Sequence, residues 1–327
     1  SIYIFFFGVV ISYFVGFFFD ENSAGAGGYN GDISWIQKNI DIFKNNSIFN
    51  AVKNPDFFGN RPPLIYIINR LINPFFFELE KYRSTVFILS LFSPVFLFLI
   101  LRLRFYKTNV EFLTLLSVSI LLSPFYRTSG FWALNENYGI LCALVSIFLL
   151  KLNLENISRN NAGDKFNLIL TLILSSMCVY FDQKLIIIPL ICFFKLIYCL
   201  EDLKSKILII LIYIILSIPF LYLVHLWGGI VPAKTQIANP NTITNLSRIN
   251  DLYFINIGYA TTLMALYLFP VILFKENLLQ SLKNFFINKT NIALILISII
   301  YIALLIALFD FEKYTVDDYW VGLGYVD

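Results

Sequence analysis

Asp20-Glu21 stands where a long apolar stretch ends. A carboxylate at the edge of a low-dielectric region has a proton affinity that its surroundings can tune, which suits a general base acting on a hydroxyl. The plain alternative is a pair of interfacial charges that end a helix. The run Gly25-Ala26-Gly27-Gly28-Tyr29-Asn30-Gly31-Asp32 follows. It follows no strand and lacks the G-x-G-x-x-G spacing, so it is no dinucleotide fingerprint and reads as flexible backbone able to approach a bulky polar ligand. Arg61-Pro62-Pro63-Leu64 offers a guanidinium for a phosphate, or equally an anchor at a headgroup, ahead of a proline-fixed helix start. Arg127 with Glu136, and Asp182 with Lys184, set acids and bases against hydrocarbon with scarcely any loop, an expensive arrangement that usually serves function. His225, the sole histidine, introduces Trp227-Gly228-Gly229. One histidine makes neither a metal site nor a nucleophilic triad, and a hydrogen-bonded interfacial residue is the plain reading. Lys234 and Arg248 are available to an anionic headgroup.

The cysteines Cys142, Cys178, Cys192 and Cys199 lie inside apolar stretches, with no C-x-x-C and no partnering histidines. They read as small core hydrophobes rather than zinc ligands or disulfides. The sequence requires no cofactor and leaves the use of a divalent metal open. A net charge of +3, with no basic run interleaved with aromatics, removes the electrostatic footprint of a nucleic-acid partner.

A membrane must position these residues. Of 327 residues 58% are hydrophobic, 18% aromatic and only 14% charged, and the mean hydropathy is +0.76. That is too much apolar surface for a water-exposed shell to enclose. Apolar runs approaching the about 20 residues that cross a bilayer core predict nine spans. They are Ile2 to Phe19, Ser84 to Leu101, Phe112 to Phe125, Tyr138 to Leu150, Phe166 to Phe181, Leu185 to Leu200, Ile207 to Leu226, Leu252 to Phe274 and Ile292 to Phe309. The expected fold is an all-α membrane protein, a polytopic helix bundle of about nine transmembrane helices. It forms a single domain over 1–327, cut short at one or both ends, because Ser1 is no start methionine and the chain stops in a polar, aromatic stretch.

If the first helix runs outward, the cytoplasmic segments hold twelve lysines and arginines, Arg102, Arg104 and Lys107 among them, against five in the short exoplasmic loops. Most carboxylates, including Asp310, Asp317 and Asp318, then fall outside with the polar chemistry. The first exoplasmic loop, 20–83, has room for two surface helices. Ile33, Ile36, Ile40 and Phe43 make one apolar stripe; Leu64, Ile67, Ile68, Leu71, Ile72 and Phe75 make another, with Asn69, Arg70 and Asn73 turned away.

An acid directly after the first span, a long loop with surface helices and a loop end reading Arg61-Pro62-Pro63-Leu64-Ile65-Tyr66 resemble the GT-C superfamily of integral-membrane glycosyltransferases. The likeness extends through Asn73-Pro74-Phe75, Glu78 and Arg83 to Arg102 and Arg104, a region similar to the family 39 and Rgt-type transferases, which include protein mannosyltransferases and lipid A aminoarabinose transferases. Glu136 matches the place of their second exoplasmic acid, and Lys184 that of a basic residue near the donor phosphate. Trp227-Gly228-Gly229 looks more like the lipid-linked-oligosaccharide glucosyltransferase branch.

The resemblance implies inverting transfer of a sugar from a polyprenyl-phosphate donor to a lipid, glycan or protein hydroxyl on the exoplasmic face. In a bacterium that face is the periplasmic side of the inner membrane. Asp20, or in its place Glu21, would be the base, Glu21 or Asp32 would orient the acceptor, and Glu136 would hold sugar hydroxyls or position a base. Lys184, Arg61 and Lys234 would stabilise charge on the departing phosphate, with Asp182 and His225 also at the substrate. The main rival is a transporter or flippase of a lipid-linked or amphipathic solute, which predicts charged or broken helices near the bilayer midplane and an internal repeat. A structural membrane subunit and a polysaccharide polymerase or ligase are further alternatives.

Overall fold

A computed structural model describes residues 2–21, 31–59, 61–158, 165–238, Lys283 and 289–308. Among the described residues every regular element is helical, and three helices are long and apolar enough to cross a membrane. Residues 25–30 of the glycine-rich run, the expected span from Leu252 to Phe274, Arg248 and the carboxylates from Asp310 onward lie outside the described residues.

The first helix, α1 (Ile2–Phe18), is followed by a cap of three short helices, α2 (Asp32–Asn45), α3 (Ile48–Lys53) and α4 (Leu64–Ile72). Next come α5 (Leu79–Ser90) and α6 (Phe92–Arg104), which meet at Leu91 and together form an apolar stretch of 26 residues. The expected span from Phe112 to Phe125 is broken. Here α7 (Val110–Val118) and a 3-10 turn, Ser119–Leu122, meet α8 (Pro124–Phe131) at 65°. Proline cannot continue the hydrogen-bond ladder and pushes the residue before it out of helical geometry. Accordingly Ser123 is extended, and its hydroxyl caps α8 at Tyr126 N.

Two long helices with short neighbours complete the bundle. These are α9 (Asn135–Ser158), α10 (Lys165–Phe181), α11 (Ile187–Cys199) and α12 (Leu203–Trp227); then follow α13 (Ala233–Ala238) and an apolar α14 (Lys289–Leu308). The expected span from Leu185 starts with a 3-10 turn, Gln183–Ile186, which leaves α11 only 13 residues. At the far end of α12, Gly228 takes a left-handed φ of 65°, which lets Gly229 N close back on Val224 O. The four cysteines are free, with Cys178 and Cys192 buried and the other two half-buried, as small apolar residues would be.

Helix direction sorts the charges. Tyr3 donates to Glu111 at one end of the bundle, where Arg102 also closes on the carbonyls of Tyr106 and Thr108. At the opposite end α1, α8, α10 and α12 finish and α5, α9 and α11 begin, and the cap sits on them. Side chains facing outward along α11 and α12, such as Leu190, Phe194, Ile214 and Ile218, are exposed and apolar, as lipid contact demands.

The cap differs from a pair of helices floating on a bilayer. Ile36, Ile40 and Phe43 of α2 are buried as the stripe predicts, but against protein: Ala51, Phe57, Tyr66, Phe76, Tyr82 and Trp227 share their core. Burying a large apolar side chain contributes about 1.5–3 kcal/mol, so the cap is docked by its own core. In α4 the expected stripe divides, with Leu71 and Ile72 exposed and Leu64, Ile67 and Ile68 packed on the same core, while Asn69, expected to turn away, is buried with Ile65 and Tyr66. Asn69 can turn inward because Tyr138 of α9 donates to its Oδ1 at 3.0 Å and its Nδ2 donates to Ile65 O. Arg70 lies across the cap and donates to the carbonyls of Phe43 and Asn46, satisfying the open end of α2.

Candidate functional site

The polar end carries two charged clusters built on helix termini. The first gathers at the end of α1. Asp20 has a left-handed φ of 53°, one of two non-glycine residues with positive φ among those described. Asp tolerates that region better than most residues, at some cost in strain. The turn directs Asp20 and Glu21 to different arginines. Arg83 Nη2 donates to Asp20 Oδ1 at 2.7 Å, while its Nη1 takes Glu80 Oε2 at 2.9 Å and its Nε takes Phe131 O at 2.9 Å. The Arg83 side chain is 6% exposed and its guanidinium stacks 4.1 Å over the Trp132 ring.

Glu21 is held more fully. Arg127 Nε meets Oε1 at 2.7 Å and Nη2 meets Oε2, the two-pronged geometry that Arg forms best with a carboxylate. The same guanidinium donates to Ser12 O at 2.9 Å, and Trp132 Nε1 donates to Glu21 O at 3.0 Å. Gly16 makes room for this pair, because a Cβ there would lie 2.4 Å from both Arg127 Nη2 and Glu21 Oε2. Of the two acids Asp20 is therefore the open one. Its side chain is 64% exposed against 32% for Glu21, and its second oxygen has no partner among the described residues.

The second cluster lies where α9 begins, just past the other left-handed residue, Ala133 at φ 58°. Arg61 Nη2 donates to Glu136 Oε1, and Arg61 Nε stands 3.9 Å from Asp182 Oδ2. Asp182 Oδ1 caps the turn after α10 by accepting from Lys184 N at 3.0 Å. Tyr66 connects this cluster to the cap. Burial pushes its hydroxyl up to about 12; the Asn39 amide and Arg61 pull it back, and Asp32 pushes it further. Arg61 and Asp32 thus act on one phenol, which places the start of α2 beside the α4 entry.

Buried polar atoms without hydrogen-bond partners concentrate here. They include Arg61 Nε, which has the ion pair to Asp182 but no hydrogen bond, Glu136 Oε2 and Tyr82 Oη, whereas the unbonded Asn137 amide lies apart, beside Gly130. Such atoms are rare in folded proteins.

The remaining expected residues sit on the rim. Lys184 and His225 are exposed, and their side chains make no ion pair among the described residues. Lys234 pairs with Asp56 at 2.6 Å, which holds that carboxyl below the usual range, while Thr235 Oγ1 accepts from Gly59 N at 3.0 Å and so latches α13 to the cap. Sequence reasoning weighed Arg127 only as a nearby base and Arg83 only as part of a resemblance, yet these arginines organise the first cluster. Their sequence signal reached only as far as the need for carboxylates beside two arginines at apolar spans; that these would be Asp20 and Glu21, 63 and 106 residues away, required the fold. Among the described residues no group of three or more His, Cys, Asp or Glu is placed to hold a metal. Comparison of the chain with family models, with curated proteins and with solved structures found no match.

Proposed function

We propose that this chain is a membrane glycosyltransferase of the GT-C kind, moving a sugar from a polyprenyl-phosphate donor to a lipid, glycan or protein hydroxyl. Asp20 is the general base. Its free oxygen takes the acceptor proton while Arg83 holds the other, and Glu21, locked by Arg127, fixes the turn that presents it. The acceptor oxygen attacks the anomeric carbon from the face opposite the phosphate, the new C–O bond forms with inversion, and the polyprenyl phosphate leaves with the electron pair. Lys184 and Lys234 stabilise its charge, and Glu136 holds sugar hydroxyls, with Asp32 at the acceptor.

The observation that carries the reading is Asp20. It is an exposed carboxylate in a left-handed turn at a helix end, gripped through one oxygen by a buried arginine, on the same end of the bundle as the Arg61–Glu136–Asp182 cluster. The exposed apolar Leu71 and Ile72 of α4, with Phe75 in the turn after it, suit a prenyl chain beside that end. Basic residues crowd the opposite end, which supports an exoplasmic polar end and, in a bacterium, the periplasmic face of the inner membrane.

A transporter or flippase is the second reading, favoured by the 65° break between α7 and α8. Its weakness is that the ion pairs of the described helices gather at the ends rather than midway. Mass spectrometry of surface glycans and polyprenyl-linked sugars, wild type against Asp20→Asn, separates the two. Loss of one sugar with accumulation of its lipid-linked donor supports transfer. Unchanged glycans and donor pools remove it.

A further inference from the structure

Two helix ends close in the same way at the first cluster. At the end of α1, Glu21 N donates to Gly16 O at 2.8 Å across the left-handed Asp20; at the end of α8, Leu134 N donates to Ser129 O at 3.0 Å across the left-handed Ala133. This closure usually places glycine at the left-handed position, yet these two are the non-glycine residues with positive φ among those described. Backbone strain of this kind persists where the surroundings over-determine it, and it gathers at functional sites.

One side chain joins the two ends. Trp132, only 1% exposed, stands just before Ala133 and reaches the Asp20 turn by two routes. Its indole Nε1 donates to Glu21 O at 3.0 Å, which holds the chain as it leaves the turn. Its ring lies 4.1 Å beneath the Arg83 guanidinium, and the carbonyl of the preceding residue, Phe131, accepts from Arg83 Nε at 2.9 Å. The plane of the guanidinium and its rotation within that plane are thereby both set, and Nη2 meets Asp20 Oδ1 at 2.7 Å. A tryptophan that only fills a core needs apolar neighbours and any one acceptor for its N–H. Here the N–H and the ring face converge on the backbone and the counter-ion of a single carboxylate. Asp20 itself is 64% exposed, so its direction comes from that turn and that arginine rather than from packing.

We infer that Trp132 is a positioning residue that sets the direction of the Asp20 carboxylate through the Glu21 carbonyl and Arg83. The inference rests on the glycosyl-transfer reading for what Asp20 does, and on these contacts for how Asp20 is held.

The test compares Trp132→Phe, which keeps an apolar ring but lacks the N–H, with Val9→Ala, a loss of packing in the same core but in the first half of α1. Hydrogen exchange of the full chain in lipid nanodiscs, followed by mass spectrometry, reads the turn without any substrate. Trp132→Phe speeds exchange from Phe19 to Glu21 about tenfold, the usual effect of losing a buried hydrogen bond, and leaves α2 unchanged, whereas Val9→Ala leaves the turn as it is. In cells, Trp132→Phe lowers the transferred sugar about tenfold relative to Val9→Ala at equal protein level. Arg83→Lys, which keeps the charge but not the flat stack or the Nε donor, lowers transfer too, and Trp132→Phe costs less in that background because the two side chains act on one carboxylate. Unchanged exchange at the turn, exchange raised equally across α1, α5 and α8, the same change at the turn in Val9→Ala, or strictly additive losses of transfer overturn the assignment. Faster exchange confined to the turn, in a chain whose Asp20→Asn variant leaves cellular glycans unchanged, keeps Trp132 as the residue that positions Asp20 and removes the transferase reading.

Discussion

Arg127 grips both oxygens of Glu21, Nε on Oε1 at 2.7 Å and Nη2 on Oε2, while Asp20, one residue earlier, gives a single oxygen to Arg83. The left-handed turn at Asp20 separates two neighbouring acids into an anchor and an open carboxylate. The anchor fastens the end of α1 to α8 and the open acid faces solvent. Stability and chemistry are thereby assigned to different residues of one dipeptide.

Glu21→Gln therefore lowers stability while Asp20→Asn leaves it almost unchanged. Removing one partner of a buried ion pair costs 3–5 kcal/mol, and the one-third exposure of Glu21 discounts this to about 2 kcal/mol. Asp20, more than half exposed, stays within about 0.5 kcal/mol. Thermal melting of the purified variants in detergent reads both. Equal melting points for the two would show that Glu21 is no anchor.

Gly16→Ala breaks the same pair from the helix side. A Cβ at Gly16 would sit 2.4 Å from both Arg127 Nη2 and Glu21 Oε2 and 2.8 Å from Phe131 Cε2, so the bidentate contact must open. Gly8 on the same helix meets nothing within 4 Å. Gly8→Ala is thus neutral or stabilising by up to about 1 kcal/mol, the helix propensity difference, whereas Gly16→Ala costs about as much as Glu21→Gln. The pair of melting curves checks it, and indistinguishable curves would discard the close approach at Gly16.

How much of this was legible depended on whether a residue's partner was local. The α2 stripe of Ile36, Ile40 and Phe43 showed in the 3.6-residue period, and the helix formed with that face buried. Its target was invisible, because the buried partners Tyr66, Tyr82 and Trp227 come from three other helices. At α4 the stripe showed as well, with Leu71 and Ile72 outward as beside a membrane, but Asn69, expected to turn away, turns in to meet Tyr138, a partner on another helix. The broken span was readable in Ser123-Pro124 but outweighed by the hydropathy around it. At the site, Glu136 and Asp182 stood out as charge against hydrocarbon, Asp20 by its place at the end of a span and Arg61 by its place before two prolines, whereas pairing of Arg127 with Glu21, 106 residues away, required the tertiary fold.

Tyr180 of α10 and Pro219 of the lipid-facing helix α12 form a coupled pair across the two helices. Pro219 interrupts the helix, and the Tyr180 hydroxyl enters the gap, donating to Leu216 O and accepting from Phe220 N at 3.1 Å. Tyr180→Phe leaves that carbonyl and N–H without partners and costs about 1–3 kcal/mol. In a Pro219→Ala background the ladder closes directly, so the same substitution costs about 1 kcal/mol less. A double-mutant cycle by chemical denaturation in mixed micelles measures the difference. Strict additivity would separate the hydroxyl from the kink.

Tyr66 sets an alkaline limit on the cap. Its hydroxyl accepts from Asn39 Nδ2 at 3.1 Å, and burial raises it from 10.0 to about 12, with Asn39 and Arg61 opposing and Asp32 reinforcing the rise. A folded value above the unfolded one means that the stability is fully present below pH 10 and is lost as pH rises toward 12. A shift of that size corresponds to about 2–3 kcal/mol across the window. Tyr66→Phe removes the ionisation, so the variant melts with a flatter pH dependence between those limits while losing the Asn39 contact at neutral pH. Limited proteolysis of the cap at graded alkaline pH follows the same change locally. If wild type and Tyr66→Phe lose protection in parallel above pH 10, the buried phenol does not govern the cap and another group must.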